Sequence, residues 1–380
     1  MEYKKLGDIA TYINGYAFKP EQRGSEGLPI IRIQDLTGNA YDLGYYNGDY
    51  PNKIELNDGD VLISWSASLG VYLWNRGKAL LNQHIFKVVF DKVEIDKFYF
   101  MYAVEYNLDK MSLKTHGATM KHITKKDFDN VVIPYPDLDY QKEISYRLTS
   151  LKGIIKKYQK QLDLLDELIK ARFVEMFGDP IENTYSFPIL KLGELSELIT
   201  KGASPSWQGY SYTEDSTQTL FVTSENVREG YMDFSSIKYV EDAFNEKQKR
   251  SMIQKGDYLI NIVGASIGRA AQFNMDCKAN MNQAAALVRI KDNTISDNYL
   301  LYYLNSDKAQ MMYNSMKSDT GRANLSLQDI ANLEILVPDL TLQVKFSSFV
   351  QEVDKSRSRI QKSLEASQEL FDSLMQEYFG

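Results

Sequence analysis

Two segments of the chain place hydrophobic residues at alternating spacings of four and three, which is the pattern of a helix that buries one narrow face. The first segment has its apolar positions at Ile144, Leu148, Leu151, Ile155, Tyr158, Leu162, Leu165 and Ile169. The second repeats the pattern at Phe346, Val350, Val353, Ile360, Leu364, Phe371 and Leu374, with Arg357 and Ser367 as interruptions. We therefore predict two long amphipathic helices.

Each predicted helix would expose an apolar stripe if it stood alone. Residues 142–177 contain no proline and one glycine, Gly153, before the stop signal Gly178-Asp179-Pro180. A single helix of roughly 50 Å is therefore expected there. The economical arrangement packs the two helices on each other as an antiparallel coiled coil within one chain. An alternative, in which each helix pairs with another chain, stays open.

The helices belong to a larger unit that occurs twice along the chain. Residues 5–9 return as residues 191–195, and residues 59–64 return as residues 256–261. The further matches are Ala67-Ser68-Leu69-Gly70 with Ala265-Ser266-Ile267-Gly268, Asn82-Gln83 with Asn282-Gln283, Ile123-Thr124 with Leu325-Ser326, Pro136-Asp137-Leu138 with Pro338-Asp339-Leu340, and Gln141 with Gln343. This ordered series indicates a tandem duplication of a domain with its connector, not a solenoid of short repeats.

Ahead of each predicted helix, short β-branched and aromatic runs alternate with Gly, Asn and Asp, as they do in small mixed domains. The strand candidates are residues 29–33, 61–64 and 85–90 in the first copy and residues 219–223, 258–262 and 285–290 in the second. Helices are predicted near residues 98–105 and 299–306. We predict an α+β protein with two similar globular α/β modules at residues 1–141 and 179–341, a central long helix at 142–178 and a C-terminal long helix at 342–380.

The composition excludes several kinds of protein. The one cysteine, Cys277, cannot form an internal disulfide, and three histidines offer no metal-ligand cluster. No apolar run is long enough to span a membrane, and the first residues carry no apolar signal core, so we expect a cytoplasmic protein.

The charge of the chain bears on nucleic-acid binding in two ways. A net charge of −7 and a pI near 5.3 argue against coating nucleic acid through bulk positive charge. Residues 110–126, however, hold five lysines and two histidines without an acid. That stretch suits contact with phosphates, and an ordinary solvated surface is the equally weighted alternative.

Motifs of several enzyme classes are missing from the sequence. An adenine methyltransferase needs an Asn/Asp-Pro-Pro-aromatic tetrad and a glycine-rich cofactor loop, and neither occurs. No nuclease Pro-Asp with a downstream acid-x-Lys and no phosphate-binding loop occurs either. The glycine spacing of residues 264–268 is wrong for a serine nucleophile turn. We therefore predict a chain that is not an enzyme and that holds no cofactor or metal of its own.

The duplication itself suggests a role on DNA. An antiparallel pair of equivalent helices would relate the two modules by an approximate two-fold axis, and DNA has two-fold axes of its own. Two similar modules could then contact two half-sites, as dimeric helix-turn-helix proteins do at a separation of about 34–36 Å. Because the module loops differ, the half-sites would differ in sequence, and the length of the helices would set the spacer.

The chain resembles a known family, the specificity subunits of Type I restriction–modification enzymes. The resemblance rests on the order of module and long helix, on the opening Leu6-Gly7-Asp8-Ile9, and on the entry Pro136-Asp137-Leu138 with Gln141 into the helix, and it covers the whole chain. It implies two target recognition domains, residues 1–141 and 179–341, that read a split asymmetric target in double-stranded DNA. It also implies helices that dock two methyltransferase subunits and, through them, restriction/translocase subunits. S-adenosylmethionine, ATP and magnesium would belong to those partners.

Base recognition needs Arg, Lys, Asn, Gln, Ser or Thr side chains on exposed loops. Candidates lie where the two copies share a loop, and the predicted DNA-contacting residues are Trp65, Ser66, Ser68, Asn82, Gln83, His116, Lys121 and His122 in the first copy and Lys201, Ser204, Trp207, Ser266, Arg269, Asn282, Gln283, Arg322 and Asn324 in the second. Opposite Lys201 and Trp207, a related surface is predicted at Tyr12, Asn14, Tyr16, Phe18 and Lys19, where the aromatics could equally be core. Because the Asn-Gln pair is identical in both copies, a shared structural hydrogen bond is its alternative role.

Two other functions are compatible with the sequence. The acidic pI supports a non-catalytic scaffold whose modules bind protein. A related restriction system, in which the methyltransferase and nuclease are fused, would need the same kind of specificity subunit. The sequence does not separate that case from the first.

Overall fold

The structure is a computed structural model that describes residues 2–39, 42–114, 123–316 and 324–380. It divides into two compact units. Unit 1 comprises Met1–Lys160 with Ile360–Gly380, and unit 2 comprises Gln161–Arg359. The division falls inside both long helices, so each unit contains one module and parts of two helices.

The elements of unit 1 follow one another as short strands and helices. They are β1 (Tyr3–Lys5), α1 (Leu6–Ile9), β2 (Thr11–Asn14), β3 (Leu28–Ile31), α2 (Ile33–Thr37), β4 (Tyr45–Tyr46), β5 (Glu55–Leu56), β6 (Val61–Ser64), β7 (Gly70–Leu73), β8 (Ala79–Leu81), β9 (Ile85–Val89), α3 (Lys97–Lys114), α4 (Lys125–Asp129), β10 (Val132–Pro134) and the first part of α5 (Leu138–Phe177). Two four-stranded sheets have the orders β2-β9-β6-β7 and β4-β3-β8-β5, and β1 pairs with β10.

Unit 2 repeats this plan. Its elements are β11 (Ile189–Lys191), α6 (Leu192–Leu195), β12 (Ser196–Lys201), β13 (Tyr212–Thr213), β14 (Thr219–Val222), β15 (Tyr239–Val240), α7 (Phe244–Lys247), β16 (Tyr258–Asn261), β17 (Ala270–Gln272), β18 (Ala279–Met281), β19 (Ala285–Ile290), α8 (Asp297–Leu304), α9 (Asp307–Ser315), α10 (Leu327–Ala331), β20 (Glu334–Leu336) and the first part of α11 (Leu340–Phe379). The sheets have the orders β12-β19-β16-β17 and β13-β15-β14-β18, and β11 pairs with β20.

The matching sheets confirm the predicted duplication and the α+β class. In each unit one parallel pair, β3 with β8 and β14 with β18, stands among antiparallel neighbours. The central strands β6 and β16 are buried along their whole length, because a sheet face covers one side and α3 or α8 covers the other. All six predicted strands and both predicted module helices are present near the expected residues.

Both predicted long helices are continuous. Helix α5 begins at Leu138, ahead of residue 142 where the heptad pattern first becomes recognisable, because the Asp137 side chain accepts a hydrogen bond from the Tyr140 N–H at 2.9 Å. The seam positions of both helices are buried or half-buried, among them Ile144 at 2% exposure and Ile169 at 6%. They form the apolar face that the periodicity predicts.

Within unit 1 the end of α11 packs against the beginning of α5 and against α3. Arg147 of α5 donates to the Tyr378 hydroxyl at 3.2 Å, and Lys152, one turn further along, lies over the Phe371 ring at 5.8 Å. Met375, Tyr378 and Phe379 belong to the core of unit 1. The two helical segments therefore run antiparallel in this unit.

Within unit 2 the beginning of α11 packs against the end of α5. Phe173 and Phe346 contact at 5.5 Å, and Arg357 forms an ion pair with Asp166. Arg357 interrupts the apolar seam, and this carboxylate on the facing helix compensates its charge. The direction is again antiparallel, which confirms packing within one chain.

A buried glutamine fixes each long helix to its module. Gln141 accepts a hydrogen bond from the Asp96 N–H at 2.9 Å and donates to the Pro136 carbonyl at 2.8 Å. In unit 2, Gln343 accepts from the Ser296 N–H at 2.9 Å and donates to the Pro338 carbonyl at 2.8 Å. Both side chains are at most 1% exposed. The duplicated glutamine of the sequence is thus an anchor between helix and module.

Among the described residues, the structure has no helix long and apolar enough to cross a membrane. The same residues contain no group of three or more His, Cys, Asp or Glu side chains placed to hold a metal ion.

Candidate nucleic-acid interface

In each unit several loops meet at one edge of the antiparallel sheet, which we call the loop edge. In unit 1 the loop edge consists of residues 65–69 and 82–84 with Tyr16, because β2, β6 and β9 all end or begin there: Asn14 pairs with Phe86, and Ser64 pairs with Ile85. Backbone bonds tie the loops together, from the Gln83 N–H to the Tyr16 carbonyl at 3.0 Å and from the Trp65 N–H to the His84 carbonyl at 3.3 Å.

The loop edge of unit 2 consists of residues 202–209, 262–269 and 282–284. Strand β12 reaches it at Lys201, which pairs with Ala286, and the Ile262 N–H donates to the Ala284 carbonyl at 2.9 Å. The sheet therefore brings together three of the loops that were predicted separately. Lys201, Ser204 and Trp207 lie on the first of them, Ser266 and Arg269 on the second, and Asn282 and Gln283 on the third.

The fourth predicted loop lies mostly outside the described residues. His116, Lys121 and His122 fall in residues 115–122, and Arg322 falls in residues 317–323. The residues that follow return to the loop edge in both units, since Ile123 donates to the Trp65 carbonyl at 3.1 Å and Leu325 to the Ile262 carbonyl at 2.9 Å. Asn324 is exposed and pairs with Val263.

A glycine makes the tight approach between loops possible in each unit. A Cβ atom at Gly15 would lie 1.9 Å from the Asn82 carbonyl oxygen, and one at Gly202 would lie 1.7 Å from the Met281 carbonyl oxygen. Both distances are far shorter than a van der Waals contact between a Cβ atom and a backbone oxygen. The first turn after β2 or β12 can therefore pack on the Asn-Gln turn only without a side chain.

Unit 1 has a cleft of about 450 Å³ at its loop edge. Its lining residues are Arg23, Arg32, Ile33, Gln34, Thr37, Asn39, Ala67, Ser68, Asn82, Gln83 and His84. Ser68, Asn82 and Gln83 were predicted from the sequence, whereas the cationic and polar residues from the β3–α2 segment were missed. A signal existed in Arg32 and Gln34, which are polar residues directly after a buried strand.

Arg32 holds the α2 wall of this cleft in place. Its Nε lies 3.1 Å from Asp35 Oδ2, and the same oxygen accepts the Arg32 backbone N–H at 2.8 Å. The hydrogen bond to Asp35 raises the pKa of the Arg32 guanidinium above its usual range. Because Asp42 also pairs with Arg32, most of its charge is compensated inside the protein.

Trp65 has a packing role at the loop edge. Its ring stacks on Phe86 with centroids 5.5 Å apart and meets His84 edge-on at 5.0 Å. The side chain is half-buried and packs against the core of unit 1. This environment favours support of the loop over contact with a base, and it explains why an aromatic follows β6. Ser66 beside it is half-buried, and Ser68 is exposed.

Trp207 of unit 2, unlike Trp65, is exposed to solvent. It is 81% exposed on a 3₁₀ turn, Ser206–Gln208, which is closed by bonds from Gln208 and Tyr210 to the Pro205 carbonyl. Lys247 donates to the Gln208 carbonyl at 3.2 Å and lies over the Tyr210 ring at 5.2 Å. An ordered turn, held by Lys247, therefore displays a large aromatic side chain to solvent.

The middle loop of unit 2 is braced from inside. Ser266 Oγ accepts a hydrogen bond from Asn261 Nδ2 at 3.2 Å, so part of its hydrogen-bonding capacity is already used. Arg269 is exposed, and its backbone is held by the pair Asn261 N–H to Arg269 carbonyl at 2.9 Å. Of these two residues, Arg269 is the one free to reach a ligand.

The family profile of the Type I restriction modification DNA specificity domain matches residues 1–164 and again residues 187–368. The chain belongs to this family. The two matched stretches coincide with the two copies found in the sequence. Specificity subunits are the non-catalytic components of Type I restriction–modification systems, so the prediction that this chain is not an enzyme is confirmed.

Curated members of the specificity family match over nearly the whole chain. The Type I restriction enzyme EcoBI specificity subunit of Escherichia coli is 23% identical, with 94% of this chain and 80% of that protein covered. The MjaVIII specificity subunit of Methanocaldococcus jannaschii is 21% identical, with 95% and 89% covered.

A solved structure shows the same fold. The crystal structure of the S subunit of a Type I system from M. genitalium superposes with a TM-score of 0.60 at 15% identity, covering 100% of this chain and 96% of that one. A chain from a structure of Type I complex assembly and conformational transition superposes with a TM-score of 0.57 at 15% identity, covering 99% and 97%.

Proposed function

We propose that this chain is the DNA-recognition subunit of a Type I restriction–modification complex, in which the loop edge of each unit contacts one half of a split, asymmetric target. The observation that carries the proposal is the pairing of a repeated scaffold with two different loop edges. Identical scaffolds present their loops in the same way, and different loop side chains select different bases. The proposed domain limits are those of the sequence, residues 1–141 and 179–341.

The proposed contacts follow exposure at the loop edges. Gln83 and Ser68 in unit 1 and Arg269, Trp207 and Lys201 in unit 2 are exposed there. The remaining predicted positions other than Asn282 stay candidates, and His116, Lys121, His122 and Arg322 among them lie outside the described residues. Phosphate contacts by the cationic members would fix the orientation, and amide, hydroxyl and guanidinium groups would discriminate bases.

The long helices are proposed to dock two methyltransferase subunits and, through them, the restriction/translocase subunits. Helix α5 exposes apolar side chains away from its seam, with Tyr146 at 76%, Val174 at 53% and Leu164 at 48%. Such side chains suit a protein partner. S-adenosylmethionine, ATP and magnesium are proposed to be bound by those partners, and the complex is proposed to act in the cytoplasm.

Mapping methylated adenines in a host that carries the complete system tests this function. We expect a split, non-palindromic motif that disappears when the gene for this chain is deleted. A chimera in which a homologous module replaces residues 1–141 should change one half of the motif and leave the other half intact. A continuous palindrome, or no methylation that depends on this chain, would contradict the proposal.

Binding measurements separate this function from that of a protein-binding scaffold. The chain assembled with its methyltransferase subunits should retain a DNA duplex that contains the motif, and the affinity should fall steeply with salt because phosphate contacts release counterions. A scaffold would show no preference for the motif over a scrambled duplex.

A further inference from the structure

Asn82 carries an amide that has no partner in unit 1. The residue is 8% exposed, lines the cleft, and its Oδ1 is shielded from solvent without a hydrogen bond. No hydrogen bond of its Nδ2 occurs within the described part of the chain. Buried amides are normally paired, so an unpaired one beside an open cleft indicates a missing ligand.

The equivalent residue in unit 2 shows that this state is not forced by the turn. Asn282 Oδ1 accepts a hydrogen bond from the Ala284 N–H at 3.1 Å, which closes the turn on itself. In unit 1 the third residue is His84, with a φ of 72°, and it makes no such bond. The asparagine oxygen therefore closes the turn in unit 2 and stays unpaired in unit 1, whereas the unpaired buried oxygen of the unit 2 turn belongs to Gln283.

The residues around Asn82 include exposed polar and cationic side chains of the kinds that bind DNA. Gln83 is exposed beside it, and Arg23 on the rim is exposed and makes no ion pair within the described residues. Two non-glycine residues of the cleft, Ala67 at a φ of 59° and His84, occupy the left-handed region. Such unfavourable backbone concentrates where a site is held ready for a ligand.

We infer that Asn82 recognises an adenine in the half-site contacted by unit 1, whereas Asn282 contacts no base. In the major groove adenine presents an N6 amino donor beside an N7 acceptor, which matches Oδ1 and Nδ2 of one asparagine. Guanine presents two acceptors there, thymine an acceptor and a methyl group, and cytosine a single amino donor. The inference rests on the proposed function.

The test uses the full chain assembled with its methyltransferase subunits and a set of duplexes. Each duplex carries the mapped motif with one base pair of the unit 1 half-site replaced. For Asn82→Ala we expect a roughly ten- to hundredfold loss of affinity for the intact motif and equal binding whichever base occupies one adenine position. For Asn82→Asp we expect cytosine to be preferred there, because a carboxylate accepts from its N4 amino group.

Asn282→Ala is the matched control, since it removes the same amide from the same turn of unit 2. It should lower the melting temperature and leave discrimination unchanged at every position. The aspartate variant keeps the shape of the side chain, so a changed base preference with an unchanged melting temperature separates recognition from misfolding.

Three results would overturn the inference: a unit 1 half-site without adenine, an Asn82 variant with wild-type discrimination, or an Asn282 variant that relaxes the motif in the same way. If the wild-type complex itself fails to discriminate among the duplexes, the proposed function fails as well. If the wild type discriminates and the Asn82 variants match it, this inference alone is wrong.

Discussion

The turn around Asn82 in unit 1 leaves its amide unpaired, whereas the turn around Asn282 in unit 2 binds the same amide to its own backbone. Where the long helices and module helices join the sheets, the two units make the same contacts. The buried anchors Gln141 and Gln343 make the same two hydrogen bonds, and Tyr99 and Tyr299 each donate to the strand below, at 2.8 and 2.9 Å.

The positions of a duplicated domain that can diverge are those where a change costs little stability. A buried glutamine with two hydrogen-bond partners tolerates little change, because its substitution leaves polar groups without a partner. A glycine packed against backbone tolerates little change either, because a side chain there would overlap with backbone atoms. Exposed residues at the loop edge, such as Ser68 and Gln83, can change at small cost to stability. The scaffold therefore stays alike in both units while the loops acquire separate chemistry.

The largest effect should come from the glycines on which both units depend. Gly15→Ala and Gly202→Ala would each place a Cβ within 2 Å of a carbonyl oxygen, at 1.9 and 1.7 Å. We expect each to lower the free energy of unfolding by about 4 kcal/mol or more, since backbone cannot rotate away. Urea denaturation followed by circular dichroism would measure the loss.

Gly153→Ala is the control for these glycines, because nothing lies within 4 Å of a Cβ there. It should raise the free energy of unfolding by about 0.5–1 kcal/mol through helix propensity. A loss below about 1 kcal/mol for either of the other two would mean that the two turns can separate without harm to the fold.

Removing an equivalent ion pair should destabilise unit 2 more than unit 1. Asp257 is 2% exposed and binds Arg289 through both oxygens, at 2.8 and 2.7 Å, whereas the equivalent Asp60 is 21% exposed and binds Lys87 at 2.7 Å. Asp257→Asn removes a bidentate ion pair from a carboxylate that is almost fully buried, so we expect a loss of about 3 kcal/mol. For Asp60→Asn, where the carboxylate is more exposed and makes one contact to its lysine, we expect about 1 kcal/mol. Equal losses in thermal denaturation would show that burial of the pair makes no difference.

The helix anchors should respond alike. Gln141→Ala and Gln343→Ala each leave one buried N–H and one buried carbonyl without a hydrogen-bond partner. We expect each to lower the free energy of unfolding by about 2 kcal/mol. Gln361→Ala, on the exposed face of α11, should change stability by less than about 0.5 kcal/mol. If one anchor mattered and the other did not, the scaffolds would be less equivalent than their geometry indicates.

The smallest effect concerns the aromatic residues of the loop edges. Trp207→Ala should weaken binding to the target duplex about fivefold, because a displayed indole can make apolar contact with base edges in a groove, and leave the melting temperature unchanged. Tyr16 is 41% exposed and packs on Phe18 at 5.0 Å, so Tyr16→Ala should lower the melting temperature as well. Unchanged binding by the Trp207 variant in fluorescence anisotropy would remove that residue from the proposed interface.

The long helices and the duplication could be predicted because each depends on patterns repeated along the chain. Apolar residues at fixed spacing identify α5 and α11, and the buried strands β6 and β16 are continuous apolar runs. Arg357 shows the limit of such patterns, since its acceptance in the seam depends on Asp166 of the other helix.

The composition of the cleft could not be predicted in the same way. The parallel pairing of Ile30 with Leu80 brings α2 beside the Asn82 turn, although some forty-five residues separate them in the chain. Parallel contacts of this kind leave no local signal. The contrast between Asn82 and Asn282 depends on the backbone of His84, which the identity of the Asn-Gln pair conceals.

Unit 1 is assembled from two stretches that lie far apart in the chain, Met1–Lys160 and Ile360–Gly380. During synthesis on the ribosome, residues 161–359 emerge before Met375, Tyr378 and Phe379 can enter the core of unit 1. The module made first is therefore the one completed last, and until then its apolar surface is open to chaperones and proteases.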